Sequence, residues 1–468
     1  MTTTVARKRP ILRRVLQLLA LVLLTGLGYG IYYASRAFPI ITGYFAKNMA
    51  SAVFLQGRDS EAVRREDLAG FPFSLASYKV DRSDSSVSVD VWGFAKHKAI
   101  YRAGLGCTLL NQRTESEVRA QRFVLPAKPQ IADTLAWPMG DRRADSFPVQ
   151  LDPEKLALAM DHALMAASSE GNEPGLTRSF LVLYDGQLVG ERYSEGVDKN
   201  LVQIGWSMSK SMTAALIGIL VKERKLDPDA PAPVPEWKGT DRAAIRLRDL
   251  LQQCSGLDFV EDYAKPSEVT NMLFRTDDMA AFTAGRPLAH KPGTVFNYSS
   301  GNSNILSRII RQTVGEEQYA SYPYTALFHR IGMRSALLEP DASGTYIGSS
   351  YSYATARDFA RFGLLYLQDG VWNGERILPE GWVAASTQPA PGDPNRRYGY
   401  QFWLNGRDAD HPGQRKFPDA PADLYYCKGF NGQGVYIIPS KKIVVVRLGQ
   451  HPIDENTFLR EVLAAVRP

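Results

Sequence analysis

The sequence predicts an α+β fold: one antiparallel sheet flanked by helices, with a helical subdomain inserted between its strands. Three observations carry this expectation. An early hairpin pattern places 180–184 and 188–193 on either side of Asp185-Gly186-Gln187. Two further strands lie late in the chain, in 434–448, around Pro439-Ser440-Lys441-Lys442. Residues 224–340, between them, read as helices and loops broken by turn residues. The two halves of the sheet therefore come from opposite ends of this region.

The elements follow in order. Arg7, Lys8, Arg9, Arg13 and Arg14 open the chain with no acid among them. Residues 15–33, VLQLLALVLLTGLGYGIYY, come next. A run of this length is close to the ~20 residues that a helix needs to cross a bilayer. The cations should stay in the cytoplasm and leave the C-terminal bulk on the other side. A cleaved signal peptide is the competing reading, with Ala34-Ser35-Arg36-Ala37 as its cleavage region. Residues 38–60 leave the membrane as a mixed segment. Ser86–Val91 alternates strictly, as a half-buried strand does, and 99–101 and 107–110 are its candidate partners. Pro126, Pro129, Pro138 and Pro148 make 126–150 a linker wrapped on the surface.

Asp152-Pro153-Glu154 is a helix start: a capping residue, proline at the first position, then an acid. That helix carries Leu156, Leu158, Ala159, His162 and Ala163. After the hairpin an apolar helical run begins near Ser207, with Met212, Ala215, Leu216, Ile219 and Leu220. A last helix places Phe458, Leu459, Val462 and Leu463 at helical spacing. The expected division is 1–37 as basic tail and transmembrane anchor, 38–125 as a small β-rich region, 126–150 as linker, and 151–468 as the main domain.

Composition narrows the function. A chain of 468 residues, 44% hydrophobic, is large enough for two or three units. The net charge is +6, and much of it sits in the first fourteen residues; elsewhere acids and bases are mixed. This excludes a nucleic-acid footprint. Cys107, Cys254 and Cys427 are odd in number and far apart, which excludes a disulfide framework and a cysteine metal cluster. Each is expected to pack as a small apolar residue.

Three motifs carry chemistry. The first is Ser207-Met208-Ser209-Lys210, the only Ser-x-x-Lys in the chain. A serine hydroxyl is a poor nucleophile at neutral pH without a base in hydrogen-bond reach. Residues i and i+3 share a helix face, so Lys210 should stand one turn above Ser207. A lysine forced out of water loses its proton more easily. The second motif is Phe296-Asn297-Tyr298-Ser299-Ser300-Gly301-Asn302. Tyr298 beside a cation should ionise more easily, share a proton with Lys210 and return it to the leaving group. Ser300, two residues on, is a candidate substrate contact. The third is Cys427-Lys428-Gly429-Phe430-Asn431-Gly432-Gln433-Gly434, leading into a strand. Gly429 would let the backbone approach a ligand closely. A strand edge here could offer one N–H to a developing oxyanion, with the N–H of Ser207 as the second.

In this order and spacing the sequence resembles the β-lactamase and penicillin-binding-protein superfamily. It is most similar to class C β-lactamase-like serine hydrolases, in particular the 6-aminohexanoate-dimer (nylon oligomer) hydrolases. The likeness spans about residues 150–468. It takes in Leu250-Leu251-Gln252-Gln253-Cys254-Ser255-Gly256-Leu257, Pro292-Gly293-Thr294, Ile331-Gly332-Met333 and Ala356-Arg357-Asp358-Phe359-Ala360-Arg361-Phe362-Gly363. No Gly-x-Ser-x-Gly is present, so an α/β-hydrolase would lack its nucleophile elbow. The resemblance implies Ser207 as nucleophile, Lys210 as base, Tyr298 as their partner, and the N–H groups of Ser207 and Phe430 as the oxyanion hole. It also implies an aromatic over the substrate at Tyr263, in Glu261-Asp262-Tyr263. Asp258 and Glu261 themselves read as solvated, and His451, just after the last strand, as a surface-loop residue, with pocket lining as its alternative.

One departure matters. Where the superfamily usually has Lys-Thr-Gly, the best register puts Cys427 at the lysine and Gly429 at the glycine; a shifted register would let Lys428 serve but lose the match at Gly429. Neighbours on a strand face opposite ways, so Lys428 should point away from the pocket. The nylon-oligomer hydrolases and related esterases share this departure. The expectation is an amide- or ester-cleaving serine hydrolase acting on a small molecule through an acyl-enzyme, with no metal or organic cofactor. It would be a single-pass protein of a bacterial inner membrane, with its catalytic domain on the periplasmic or extracytoplasmic side. A non-catalytic peptide or cell-wall sensor, or a D,D-peptidase or β-lactamase, on the same fold are the alternatives.

Overall fold

The structure is a computed structural model that describes residues 9–129, 134–171 and 174–467. Arg7 and Lys8 of the basic flank and residues 130–133 of the linker lie outside the described residues.

One helix, Arg9–Ala50, opens the chain and runs for 42 residues. Its first part is bare: Leu16, Val22, Leu23, Leu27 and Ile31 are all exposed. Its second part is the reverse, with Ile41, Phe45 and Met49 buried at intervals of four residues. This stripe gives the helix a core-facing side, so it does not end where the apolar run ends. The expected mixed segment over 38–60 is instead helix to Ala50, followed by a π-helical turn at Ser51–Leu55. Among the described residues, one helical stretch, Leu12–Leu55, is long and apolar enough to cross a membrane.

The buried stripe packs on a four-stranded antiparallel meander: Ala76–Asp81, Ser86–Val91, Phe94–Arg102 and Gly106–Leu110. The expected partners do pair, with Val87 opposite Ala99 and Tyr101 opposite Cys107. Val87, Val89, Ala99 and Leu109 join Phe45 and Met49 in one core, which also takes in Val269, Leu273 and Phe274 from the helix Glu268–Arg275. The small sheet is thus docked on the helical insertion. A buried ion pair fastens the joint: Lys47 of the first helix meets Glu339. Glu339 also accepts from Ser51 Oγ at 2.9 Å and from the Cys107 N–H at 2.6 Å.

The linker is strapped down by Arg361. Its guanidinium donates to the carbonyls of Pro138 and Gly140 at 2.9 and 2.8 Å, and lies 4.4 Å from the Trp137 ring centroid.

The main sheet has six antiparallel strands in the order Trp403–Leu404, Tyr425–Gly429, Gln433–Ile438, Ile443–Gly449, Thr177–Tyr184, Gln187–Tyr193. Val445 pairs with Val182, which joins the C-terminal strands to the early hairpin as expected. At the hairpin tip Asp185 and Gly186 have φ of 47° and 82°, the pair of positive values that a two-residue type I′ turn requires. Alternation gives the sheet two apolar faces. Leu181, Leu183, Val435, Val444 and Val446 share a core with the helices Met208–Lys222 and Ala356–Leu367. Phe180, Val182, Tyr436 and Val445 share another with Pro153–Met165 and Glu455–Ala464. Three layers result. Asp152 caps its helix by accepting from the N–H groups of Glu154 and Lys155, both at 3.1 Å. Cys107, Cys254 and Cys427 are free and buried, as expected.

Candidate active site

The site forms where the helical insertion meets the open end of the sheet. Its first component is the turn into the helix Met208–Lys222. Gly205 is held by an N–H bond of 2.7 Å to the Ser352 carbonyl, and a Cβ there would lie 2.7 Å from Ser352 Oγ. Only glycine fits so close an approach. Trp206 follows with φ of 47°, a left-handed conformation that costs a bulky residue energy and recurs at functional sites. Ser207 then occupies the N-cap position. Ser209 anchors the turn: its Oγ lies 2.6 Å from the carbonyls of both Trp206 and Ser350.

This geometry delivers the expected pair. Lys210 Nζ lies 2.9 Å from Ser207 Oγ, 3.0 Å from Ser300 Oγ and 2.9 Å from the Ser349 carbonyl. Lys210 is only 1% exposed, while Ser207 remains half-buried and open to the cleft. Burial pulls the Lys210 ammonium down from 10.5 to about 8; the nearby Glu261 carboxylate opposes the shift.

Tyr298 arrives on the segment before the helix Ser300–Val314, with Ser299 as the N-cap. Its ring centroid stands 5.0 Å from Lys210 Nζ. Tyr398 and Trp403 box the ring in, with centroids 5.7 and 5.2 Å away. The phenol is not made easier to ionise. Burial, and then the charge of Glu261, hold it above its usual value, although its contact with Ser207 works the other way. The cation faces the ring, and the expectation of an acidified phenol is corrected.

Glu261 is a second correction. It is not a solvated loop acid: it accepts from the Ser300 N–H at 2.8 Å, from Ser300 Oγ, and from Tyr263 Oη at 2.9 Å. Lys210, Ser300 and Glu261 therefore form one hydrogen-bonded chain. Asp258, by contrast, is half exposed, 3.6 Å from Arg286.

The third motif closes the opposite side. A Cβ on Gly429 would fall 2.3 Å from the Gly205 carbonyl, so the strand Tyr425–Gly429 ends directly against the serine turn. Phe430 is next, half exposed, with its ring 5.7 Å from Trp206 and 6.2 Å from Tyr263. Buried Arg447 fixes this turn by donating to the carbonyls of Asn431 and Gly432 at 3.0 and 3.1 Å. Alternation along the strand acts as expected. Cys427 is buried in the core shared with the serine helix, while Lys428 reaches Glu455 on the final helix at 3.2 Å.

Ser207, Trp206, Tyr263 and Phe430 line a cavity of about 1130 Å³. His451 also lines it and is half-buried, so the pocket-lining alternative holds over the favoured surface-loop reading. Sequence reasoning missed four contributors: Glu261, Tyr398, Trp403 and the carbonyl of Ser349. A fifth lay out of reach altogether, since one cavity wall is the first helix, with Ala37, Ile41 and Tyr44.

Comparison with known proteins agrees with this architecture. The β-lactamase family profile matches residues 161–464. The 6-aminohexanoate-dimer hydrolase of Paenarthrobacter ureafaciens is 26% identical over 309 residues, which cover 61% of this chain and 75% of that protein. A solved structure from Bacillus anthracis, named after the 6-aminohexanoate-dimer hydrolases, aligns with a TM-score of 0.54 at 24% identity, over 69% of this chain and 87% of its own. A penicillin-binding protein homolog from Caulobacter crescentus aligns with a TM-score of 0.50 at 15% identity, over 68% of this chain and 97% of its own. The two structural likenesses establish a shared fold.

Proposed function

From the premise that the chain belongs to the β-lactamase family and is a serine hydrolase, we propose that it cleaves an ester or amide through an acyl-enzyme on Ser207. One observation carries the proposal: Ser207 Oγ lies 2.9 Å from an almost fully buried lysine whose pKa is brought down to about 8. A base near the working pH is what a serine nucleophile lacks by itself.

The geometry supports this order of steps. Neutral Lys210 takes the Ser207 proton as Oγ bonds to the carbonyl carbon. The N–H groups of Ser207 and Phe430 receive the oxyanion, since the strand ending at Gly429 runs against the serine turn. The proton then passes to the leaving alcohol or amine. Tyr298, un-ionised and in contact with Ser207, relays it. Ser300 and Glu261 hold Lys210 in place. Water enters after the leaving group departs, attacks the acyl carbon and restores Ser207. Gly429 and Tyr263 border the bound substrate.

The long first helix supports a single-pass anchor, with the hydrolase domain outside the cytoplasm of a bacterium. Lys428 is engaged by Glu455, so the third-motif strand supplies no cation to hold a substrate carboxylate. This favours plain esters and amides over β-lactams and cell-wall peptides.

The test is turnover of p-nitrophenyl butyrate by wild type and by Ser207→Ala, with circular dichroism on the same samples. A folded, inactive variant supports the proposal. A folded variant with near-normal turnover refutes it.

A further inference from the structure

Resting on the hydrolase reading above, we infer that the acyl group Ser207 accepts is a long hydrocarbon chain, drawn from the bilayer along the first helix. The cavity at Ser207 is about 1130 Å³, above the ~300–1,000 Å³ of ordinary ligand pockets. Its shape follows the helix. Gly30, Ala34, Ala37, Ile41 and Tyr44 all line it, and their spacing of four and three residues puts them on one helical face. Gly30 lies within the apolar run 15–33, and Tyr44 stacks on Trp206, with ring centroids 6.2 Å apart, beside the nucleophile. One continuous groove thus joins the membrane-spanning run to the reacting serine.

The groove is longer than the span of a lipid chain in one leaflet, so such a chain fits within it. The helix rises about 21 Å between Gly30 and Tyr44 at ~1.5 Å per residue. A chain in one leaflet covers about half of the ~30 Å hydrocarbon core. Gly30, Ala34 and Ala37 leave room along the lining face at the membrane end, and Tyr33 and Phe38 flank them there. Aromatic residues make the facing wall, including Phe71, Phe73 and Phe430. Phe71 is 82% exposed and Phe430 is 50% exposed, an arrangement suited to an apolar ligand that would cover them.

The surface around the groove mouth is also built for a bilayer. The tip of the small sheet carries Trp92 and Phe94, 67% and 70% exposed. Trp92 meets Phe38 edge to face, with centroids 5.6 Å apart, just beyond the apolar run. Aromatic side chains at this level settle at the membrane–water interface. They would hold the mouth of the groove at the lipid surface.

The chemistry is that of the proposed acyl-enzyme. Ser207 Oγ bonds to the carbonyl carbon of the acyl chain, and the ester C–O or amide C–N bond breaks. The serine proton leaves with the alcohol or amine. Water then releases the fatty acid and returns a proton to Ser207.

The test uses the full chain in mixed micelles, with p-nitrophenyl palmitate and p-nitrophenyl butyrate as probes. Rates are normalised to the fraction of Ser207 labelled by a fluorophosphonate. Wild type should prefer palmitate in kcat/KM. Ala37→Trp, which fills the groove from the helix, should lower the palmitate-to-butyrate ratio at least tenfold. Ala264→Trp fills it from an exposed loop on the facing wall and should lower the same ratio even if the helix variant folds poorly. A wild-type preference for butyrate, or a ratio unmoved by both folded variants, overturns the inference while leaving the hydrolase reading intact. Failure of wild type to be labelled or to turn over either ester overturns the hydrolase reading and the inference with it.

Discussion

Lys428 Nζ lies 3.2 Å from the Glu455 carboxylate on the final helix, which puts this lysine on the opposite face of the sheet from Lys210. The relationship decides what the third motif can recognise. Its pocket-side residue is Cys427, which is buried, and its cation is turned away. Lys428→Ala should therefore change ester kcat/KM by no more than about twofold, because a partly exposed ion pair is worth only ~0–1 kcal/mol. Steady-state kinetics check this. Placing a lysine at Cys427 would force a cation into the core beneath the site, so Cys427→Lys should lower the melting temperature and not simply restore a carboxylate anchor.

Activity should depend on the protonation of Lys210. The neutral amine is the base, and its pKa is about 8. Log kcat/KM should then rise with pH up to about 8 and level off above it. Glu261 opposes the downward shift of Lys210, so Glu261→Gln should move this limb to lower pH. A pH–rate profile on both proteins checks the direction. An upward move would contradict the assignment of Lys210 as the base.

The same shift has a consequence for stability. Lys210 falls from 10.5 in the unfolded chain to about 8 in the fold, so its charged form is disfavoured by folding. The cost is fully present below about 8 and is relieved as pH rises from there towards 10.5. It amounts to about 3 kcal/mol at neutral pH, less the value of the hydrogen bonds that Lys210 makes. Lys210→Met should accordingly be inactive yet melt no lower than wild type at pH 7. Its margin over wild type should shrink by pH 9.5. Thermal melts at the two pH values test the sign.

Lys47 and Glu339 hold the first helix and the small sheet to the main body. Removing one member of a buried pair leaves a charge without a partner, at a cost of about 3–5 kcal/mol. Lys47→Met should show that loss in denaturant unfolding. Lys47→Met with Glu339→Gln should recover most of it, because no charge then remains buried.

What could be read from the sequence divides along physical lines. Ser207 and Lys210 were legible because helical spacing fixes their meeting, and the outward turn of Lys428 because strand alternation fixes its face. The main sheet was legible from the hairpin signal at Asp185-Gly186 and the apolar strands of 434–448. Glu261 was not, since its bond to Ser300 joins residues 39 apart across a loop with no periodicity. Tyr398 and Trp403 reach Tyr298 in the same non-local way. The first helix was misread beyond residue 37 for a different reason. Its apolar density falls there, while the stripe of Ile41, Phe45 and Met49 carries the helix on against a sheet that the sequence alone does not place. The easy ionisation expected of Tyr298 failed because a neighbouring cation was weighed without burial and without Glu261.

The most direct measurement of the central claim is rapid acid quench of the full chain during p-nitrophenyl butyrate turnover, followed by peptide mass spectrometry. A butyryl group, 70 Da heavier by replacement of a hydrogen (a general mass, about that of C₄H₆O), should appear on the peptide containing Ser207 and be absent in Ser207→Ala. Butyryl on a different residue, or turnover that persists in folded Ser207→Ala, would contradict the account.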